Sequence, residues 1–132
     1  MKIIIVVDAN IILSALLGGK PSIILFDSKF NFITTEFTIN EVVKYLPILE
    51  NKLNISEEEI TSLLNNLPIK IYKRDFYESK IAEAKKIIFH IDKKDMDILA
   101  LALQFQTYLW SQDKHFEKSN YPKLLKTYDF FN

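Results

Sequence analysis

"KIIIVVDANIILSALLGG", residues 2–19, is the stretch that decides the fold. Five consecutive β-branched residues, Ile3 to Val7, stop abruptly at Asp8. A run apolar on both faces fits a central strand of a parallel sheet, since a strand with one wet face would alternate. Asn10 to Leu17 then carries a helical pattern, which Gly18 and Gly19 close. Asp8 therefore stands where a strand hands over to a helix.

The same alternation continues along the chain. Pro21 suits the first turn of a short helix running to about Phe26. Asn31 to Thr35 is a second strand candidate, and Thr38 can cap a helix through roughly Leu46, which Pro47 kinks or ends. Ser56-Glu57-Glu58-Glu59 and Asp75-Phe76-Tyr77-Glu78 are capping boxes that open helices to about Asn66 and Phe89. Between them, Pro68 to Lys73 is an edge-strand candidate. A buried helix begins near Asp95 and runs to about Phe105. Tyr108 to Ser111 forms a strand, and Leu124 to Phe131 supplies the last one after a short helix. Strands alternating with helices predict an α/β protein with a mainly parallel sheet.

The bulk composition narrows the function. With 132 residues, 48% of them hydrophobic, the chain can bury one core, and residues 1–132 are expected to form a single domain. The absence of cysteine excludes a disulfide scaffold, a thiolate metal site and a cysteine nucleophile. Two glycines, adjacent at 18 and 19, leave no glycine-rich dinucleotide or phosphate loop. No G-x-S-x-G elbow is present for a serine nucleophile. His90 and His115 lack the spacing of a zinc pair, and a lone histidine is ordinarily structural or exposed. No apolar run is long enough for a signal peptide or a membrane span, so a cytoplasmic location is expected. Basic and acidic residues balance at 17 each, yet lysines cluster at 85–86, 93–94, 114–118 and 123–126, where they can meet phosphate.

What remains is carboxylate. Asp8 and Asp113 each follow a strand, Asp95 opens the apolar helix, and Glu41 lies in the third helix. Each has an ordinary explanation when taken singly. Asp8 and Asp95 can cap helices, Asp113 can sit in a turn, and Glu41 can pair with Lys44 three residues on. Together they differ, because a parallel sheet sends Asp8, Asp95 and Asp113 to one edge, with Glu41 leaning in. Acids so close repel and raise one another's pKa. A hard divalent cation, Mg²⁺ or Mn²⁺, removes that penalty.

These residues resemble the PIN domain family, which includes the VapC-type toxins of toxin–antitoxin pairs. "VVDANIILSALL" is similar to the family's opening strand and first acid, "TINEVVKYLPILENK" to the helix with the second, and "KKDMDILALALQFQTYLWSQDKHF" to the block carrying the third and fourth. The resemblance covers nearly the whole chain. It implies a small three-layer α/β/α sandwich with four or five mainly parallel strands. It also implies a metal-dependent ribonuclease whose Mg²⁺ or Mn²⁺ ligands are Asp8, Glu41, Asp95 and Asp113. Ser111 is then a hydroxyl partner and Asn10 a supporting polar group. Lys93, Lys94 and Lys114 are the candidates for holding the RNA backbone, an antitoxin protein is an expected partner, and a homodimer is expected. The dimer is also suggested by apolar residues at 22–26 and 38–49 beyond what one covered face needs.

Asp97 departs from the family pattern, because it places a second acid beside Asp95. Helical phase favours Asp95 as the inner ligand, above Ile98, Leu99 and Ala102. It puts Asp97 on the side of Gln104, toward water, as a supporting charge at the helix N-terminus. A phosphoaspartyl phosphatase wants a second acid at position 10, where Asn10 stands, and a receiver domain wants an acidic pair at the first strand end. A degenerate PIN-like interaction or RNA-binding module would have lost an acid, and all four are present.

Overall fold

The computed structural model describes residues 2–88, 93–119 and 121–131, with only the backbone of Lys93. His90 and the Lys93 side chain therefore lie outside the described residues.

β1 (Ile3–Val7) runs through the middle of a five-stranded sheet, flanked by β2 (Phe30–Thr35) and β4 (Tyr108–Trp110). β3 (Ile69–Tyr72) and β5 (Leu124–Leu125) form the edges, and all four pairings are parallel. Strand alternation divides the core. Ile5, Val7, Phe32 and Trp110 face one side, where α1 (Ala9–Leu16), α2 (Pro21–Ile24), α3 (Glu36–Val43), α4 (Leu46–Leu53) and α5 (Glu57–Asn65) cover them. Val6, Ile33 and Leu109 face the other, under α6 (Arg74–Tyr77), α7 (Ile81–Ile87), α8 (Lys93–Phe105) and α9 (Lys114–Glu117). Each fully buried Val, Leu or Ile here contributes roughly 1.5–3 kcal/mol. The expected three-layer α/β/α sandwich with a parallel sheet is the observed fold. Among the described residues no helix is long and apolar enough to cross a membrane.

The strand order β3-β2-β1-β4-β5 fixes where a site can form. From β1 the chain moves outward to β2 and β3, then returns to β4 and β5 on the opposite flank. Consequently α1, after β1, packs on one face through Ile11 and Ile12, whereas α9, after β4, packs on the other through Phe116. The divergence of the two connections opens a crevice at the carboxyl ends of β1 and β4.

Several local boundaries differ from the expectations. Thr35, not Thr38, caps α3, its Oγ1 accepting the Thr38 N–H at 2.9 Å. Pro47 lies in the first turn of α4 and so helps to start a helix, because a first-turn residue needs no donor N–H. Ser56 does cap α5, with its Oγ 3.2 Å from the Glu59 N–H. Asp75 caps nothing: α6 starts after Lys73, and the expected long helix is interrupted by a 3₁₀ turn over Glu78–Lys80. The last strand stops at Leu125 and passes into a 3₁₀ turn, Thr127–Phe131. That turn is held by Asp129 Oδ2, which accepts the Lys126 N–H at 2.8 Å.

Candidate metal centre

Asp8 ends β1 and caps α1, and its two carboxylate oxygens have separate partners. Oδ1 accepts the Ala9 N–H at 2.7 Å, and Oδ2 accepts the Ser111 hydroxyl at 2.6 Å. Ser111 directly follows β4 and is fully buried, and its Oγ accepts the Asp113 N–H at 3.0 Å. One hydroxyl thus ties the first acid to the loop carrying the fourth. Asp113 caps α9 by accepting the His115 N–H at 2.9 Å. Asp95 sits in the first turn of α8, and Glu41 comes across from α3. Asp8, Glu41, Asp95 and Asp113 line one cavity of about 220 Å³, together with Asn10, Lys94 and His115. Capping and cavity-lining coexist here, so the ordinary explanations of Asp8 and Asp113 hold without removing either from the crevice.

The surroundings of Asp8 and Asp95 differ from those of Glu41. Burial pushes the Asp8 carboxyl up, against the bonds from Ser111 and Ala9, and the charge of Asp113 adds to the rise. Asp95, 6% exposed, is pushed up to about 6, first by burial and then by Asp113 and Asp8, with His115 opposing. Glu41 instead has cations beside it, Lys44 Nζ at 3.0 Å and Lys94 Nζ at 3.7 Å. Two buried side-chain oxygens, Asp95 Oδ2 and Asn10 Oδ1, have no hydrogen-bond partner among the described residues. His115 Nδ1 lies 3.4 Å from Asp95 Oδ2, near enough to attract it but not aligned as a hydrogen bond. Converging oxygens that repel one another, one of them buried and unpartnered, form the donor set that a hard divalent cation satisfies.

Asp97 does not join this cluster. It is 5% exposed, accepts a hydrogen bond from the Tyr77 hydroxyl, and lines a separate cavity with Phe37, Arg74, Ile81, Lys85 and Met96. Burial first, then the Asp97 contact, pushes the Tyr77 hydroxyl well above its ordinary value. The expectation that Asp97 faces water is corrected: α6 and its tyrosine cover that side of α8. Lys94 borders the acidic cavity, and Lys114 is exposed on α9.

His115 lines the same acidic cavity, although as a lone histidine it has no partner in the sequence. Its signal was the D-x-H spacing in "SQDKHF", because the second residue of a helix lies close to the side chain that caps it.

Ser111→Ala tests the hydroxyl link. It strips Asp8 Oδ2 of its donor and leaves the Asp113 N–H without its acceptor, a loss of about 1–3 kcal/mol of stability. Because the Ser111 bond holds the Asp8 pKa down, its removal should also move the acid limb of any activity profile to higher pH. An unchanged denaturation midpoint together with an unchanged pH profile would contradict this role.

A family model described as PIN domain matches residues 6–123. No curated protein matches the chain significantly. Among solved structures, a toxin–antitoxin complex from Klebsiella pneumoniae has a TM-score of 0.68 at 18% identity, covering 93% of this chain and 97% of that one. VapBC2 from Rickettsia felis, bound to a DNA fragment from its promoter, has a TM-score of 0.68 at 13% identity, with coverages of 94% and 98%. VapBC-1 from nontypeable Haemophilus influenzae has a TM-score of 0.66 at 13% identity, covering 96% and 99%. At these identities the likeness is one of fold.

Proposed function

Because the chain belongs to the PIN domain family, we propose that it is a divalent-metal-dependent ribonuclease and the toxin of a toxin–antitoxin pair. The observation that carries the reading is the convergence of Asp8, Asp95 and Asp113 from three different elements on one cavity, where burial and then the charge of Asp113 push up the carboxyls of Asp8 and Asp95. The antitoxin partner is supported by the similar structures, one a toxin–antitoxin complex and two VapBC assemblies. A degenerate module would lack an acid from this cavity, and none is missing.

Asp8, Glu41, Asp95 and Asp113 would hold one or two Mg²⁺ or Mn²⁺ ions, with Lys44 and Lys94 beside Glu41. An ion held there would supply a water of lowered pKa and neutralise charge on the scissile phosphate. Ser111 favours the ionised form of Asp8 by donating to Oδ2, against the burial that raises its pKa, and Asn10 offers its Oδ1 to orient water in the cavity. Lys94 and Lys114 hold the RNA backbone without reading its sequence. The Lys93 side chain, the remaining RNA-binding candidate, lies outside the described residues. The test is a panel of labelled RNAs incubated with Mg²⁺, Mn²⁺ or EDTA, with Asp8→Asn in parallel. Cleavage should require metal and the aspartate, and equal cleavage in EDTA or by the variant would refute the reading.

Metal should also stabilise the fold, by about 2.7 kcal/mol at a hundredfold excess over Kd. The pH dependence follows from Asp95, whose pKa rises from 3.8 to about 6 in the folded state. A raised carboxyl pKa means that folding favours the protonated form. The metal-free protein therefore gains stability from this group as pH falls from 6 toward 4, while protons displace the metal and its benefit shrinks. A melting temperature indifferent to millimolar Mn²⁺ at pH 7 would rule out the clustered site.

A homodimer belongs to the same proposal. Ile23 and Phe26 are 72% and 63% exposed, and Val43, Tyr45 and Ile48 add apolar surface on and between α3 and α4. Light scattering should give twice the chain mass, and a strict monomer at high micromolar concentration would count against it.

A further inference from the structure

The His115 ring is placed as a ligand would be. Its Nδ1 stands 3.4 Å from Asp95 Oδ2 and 3.5 Å from Asp113 Oδ1. One donor atom from each of these three residues can be chosen so that all lie within 4.8 Å of one another. Two donors bonded at about 2.1 Å to one ion stand roughly 3.0–3.4 Å apart at octahedral or tetrahedral angles. The two nitrogen–oxygen separations already approach that spacing.

A second observation is independent of the distances. Asp95 is 6% exposed, yet its Oδ2, the atom nearest the ring, has no hydrogen-bond partner among the described residues. The ring Nδ1, 3.4 Å away, attracts that oxygen without meeting the geometry of a full hydrogen bond. The ring's root is fixed nonetheless, because the His115 N–H donates to Asp113 Oδ1 in the first turn of α9. The His115 side chain is 60% exposed, so the mouth is open to an ion from solvent.

We propose that His115 is a direct metal ligand beside Asp95 and Asp113, which makes the centre a mixed nitrogen–oxygen site favouring divalent transition ions over Mg²⁺. This rests on reading the acidic cavity as a metal centre. Carboxylate and water suit Mg²⁺ and Mn²⁺ alike, whereas imidazole suits transition ions and adds little for the harder Mg²⁺. The histidine therefore discriminates where the acids do not.

The probe is Mn²⁺ alone, bound to the full chain. Pulsed electron paramagnetic resonance should show ¹⁴N modulation from one imidazole. The signal should shift when histidine is ¹⁵N-labelled and vanish in His115→Ala. Calorimetric titration should show His115→Ala losing about tenfold or more in Mn²⁺ affinity, at least the cost of losing an outer hydrogen-bond partner of a metal ligand. Mg²⁺ affinity should change far less, so the ratio of the two falls. If Mn²⁺ binds the wild type without ¹⁴N modulation, or the ratio is unchanged in the variant, His115 is only a neighbour of the acids and not a ligand. The inference then fails while the acidic centre stands. If neither ion binds the wild type at all, the centre itself fails and this inference with it.

Discussion

Asp95→Asn should reduce RNA cleavage by on the order of a hundred- to a thousandfold, the size of effect seen when one preorganised electrostatic group is removed. The variant should fold. Asp95 bears a pKa of about 6 because burial and two neighbouring aspartates oppose its charge, so a neutral amide relieves repulsion in the metal-free protein. Activity and stability therefore move in opposite directions, which separates a ligand from a structural residue. Asp97→Asn is the matched control two residues away. Its amide oxygen can still accept from Tyr77, and its cavity is not the acidic one. It should retain most of the activity. The reverse ranking in a metal-dependent cleavage assay would make Asp97 the third acid.

Trp110→Ala should lower stability by about 3–5 kcal/mol, the range for truncating a buried aromatic. Trp110 is fully buried on β4, with ring centroids 5.7 Å from Phe32 and 4.5 Å from Phe130. Its indole N–H donates to Thr127 Oγ1 at 3.2 Å, which couples the sheet to the C-terminal turn. Against a typical total of 5–15 kcal/mol, such a loss leaves little reserve. It also reaches the site, because the Asp8 N–H is bonded to the Trp110 carbonyl at 3.1 Å. Urea denaturation of wild type and variant measures it, and a loss under about 1 kcal/mol would mean that the aromatic cluster is not packed as described.

The parts of the molecule that sequence made legible are those determined by local chemistry. The uniform apolar run Ile3–Val7 could only be a central strand, and Asp8 marked its end. The family resemblance implied a hydroxyl partner at Ser111 without saying for which acid, and it is the fold that brings its hydroxyl to Asp8 Oδ2. The direction of Asp97 was not legible, because Ile98 to Ala102 are all fully buried and an all-apolar helix carries no phase. Gln104 does face solvent, as expected, but Asp97 near the other end of α8 is covered by Tyr77, a residue twenty positions away. The strand order was likewise beyond local pattern, since the return of the chain to the far flank of β1 depends on packing. His115 was missed for a similar reason. A lone histidine has no partner in sequence, and only the capping bond that starts α9 brings it over two acids.

The most direct measurement is anomalous diffraction from crystals of the protein grown with Mn²⁺. An anomalous peak is expected within bonding distance of Asp95 and Asp113, with Asp8 on the same or an adjacent ion. Mn²⁺ absent from that cavity at full occupancy elsewhere, with all three carboxylates ordered, would contradict the assignment of the acidic crevice as the metal centre.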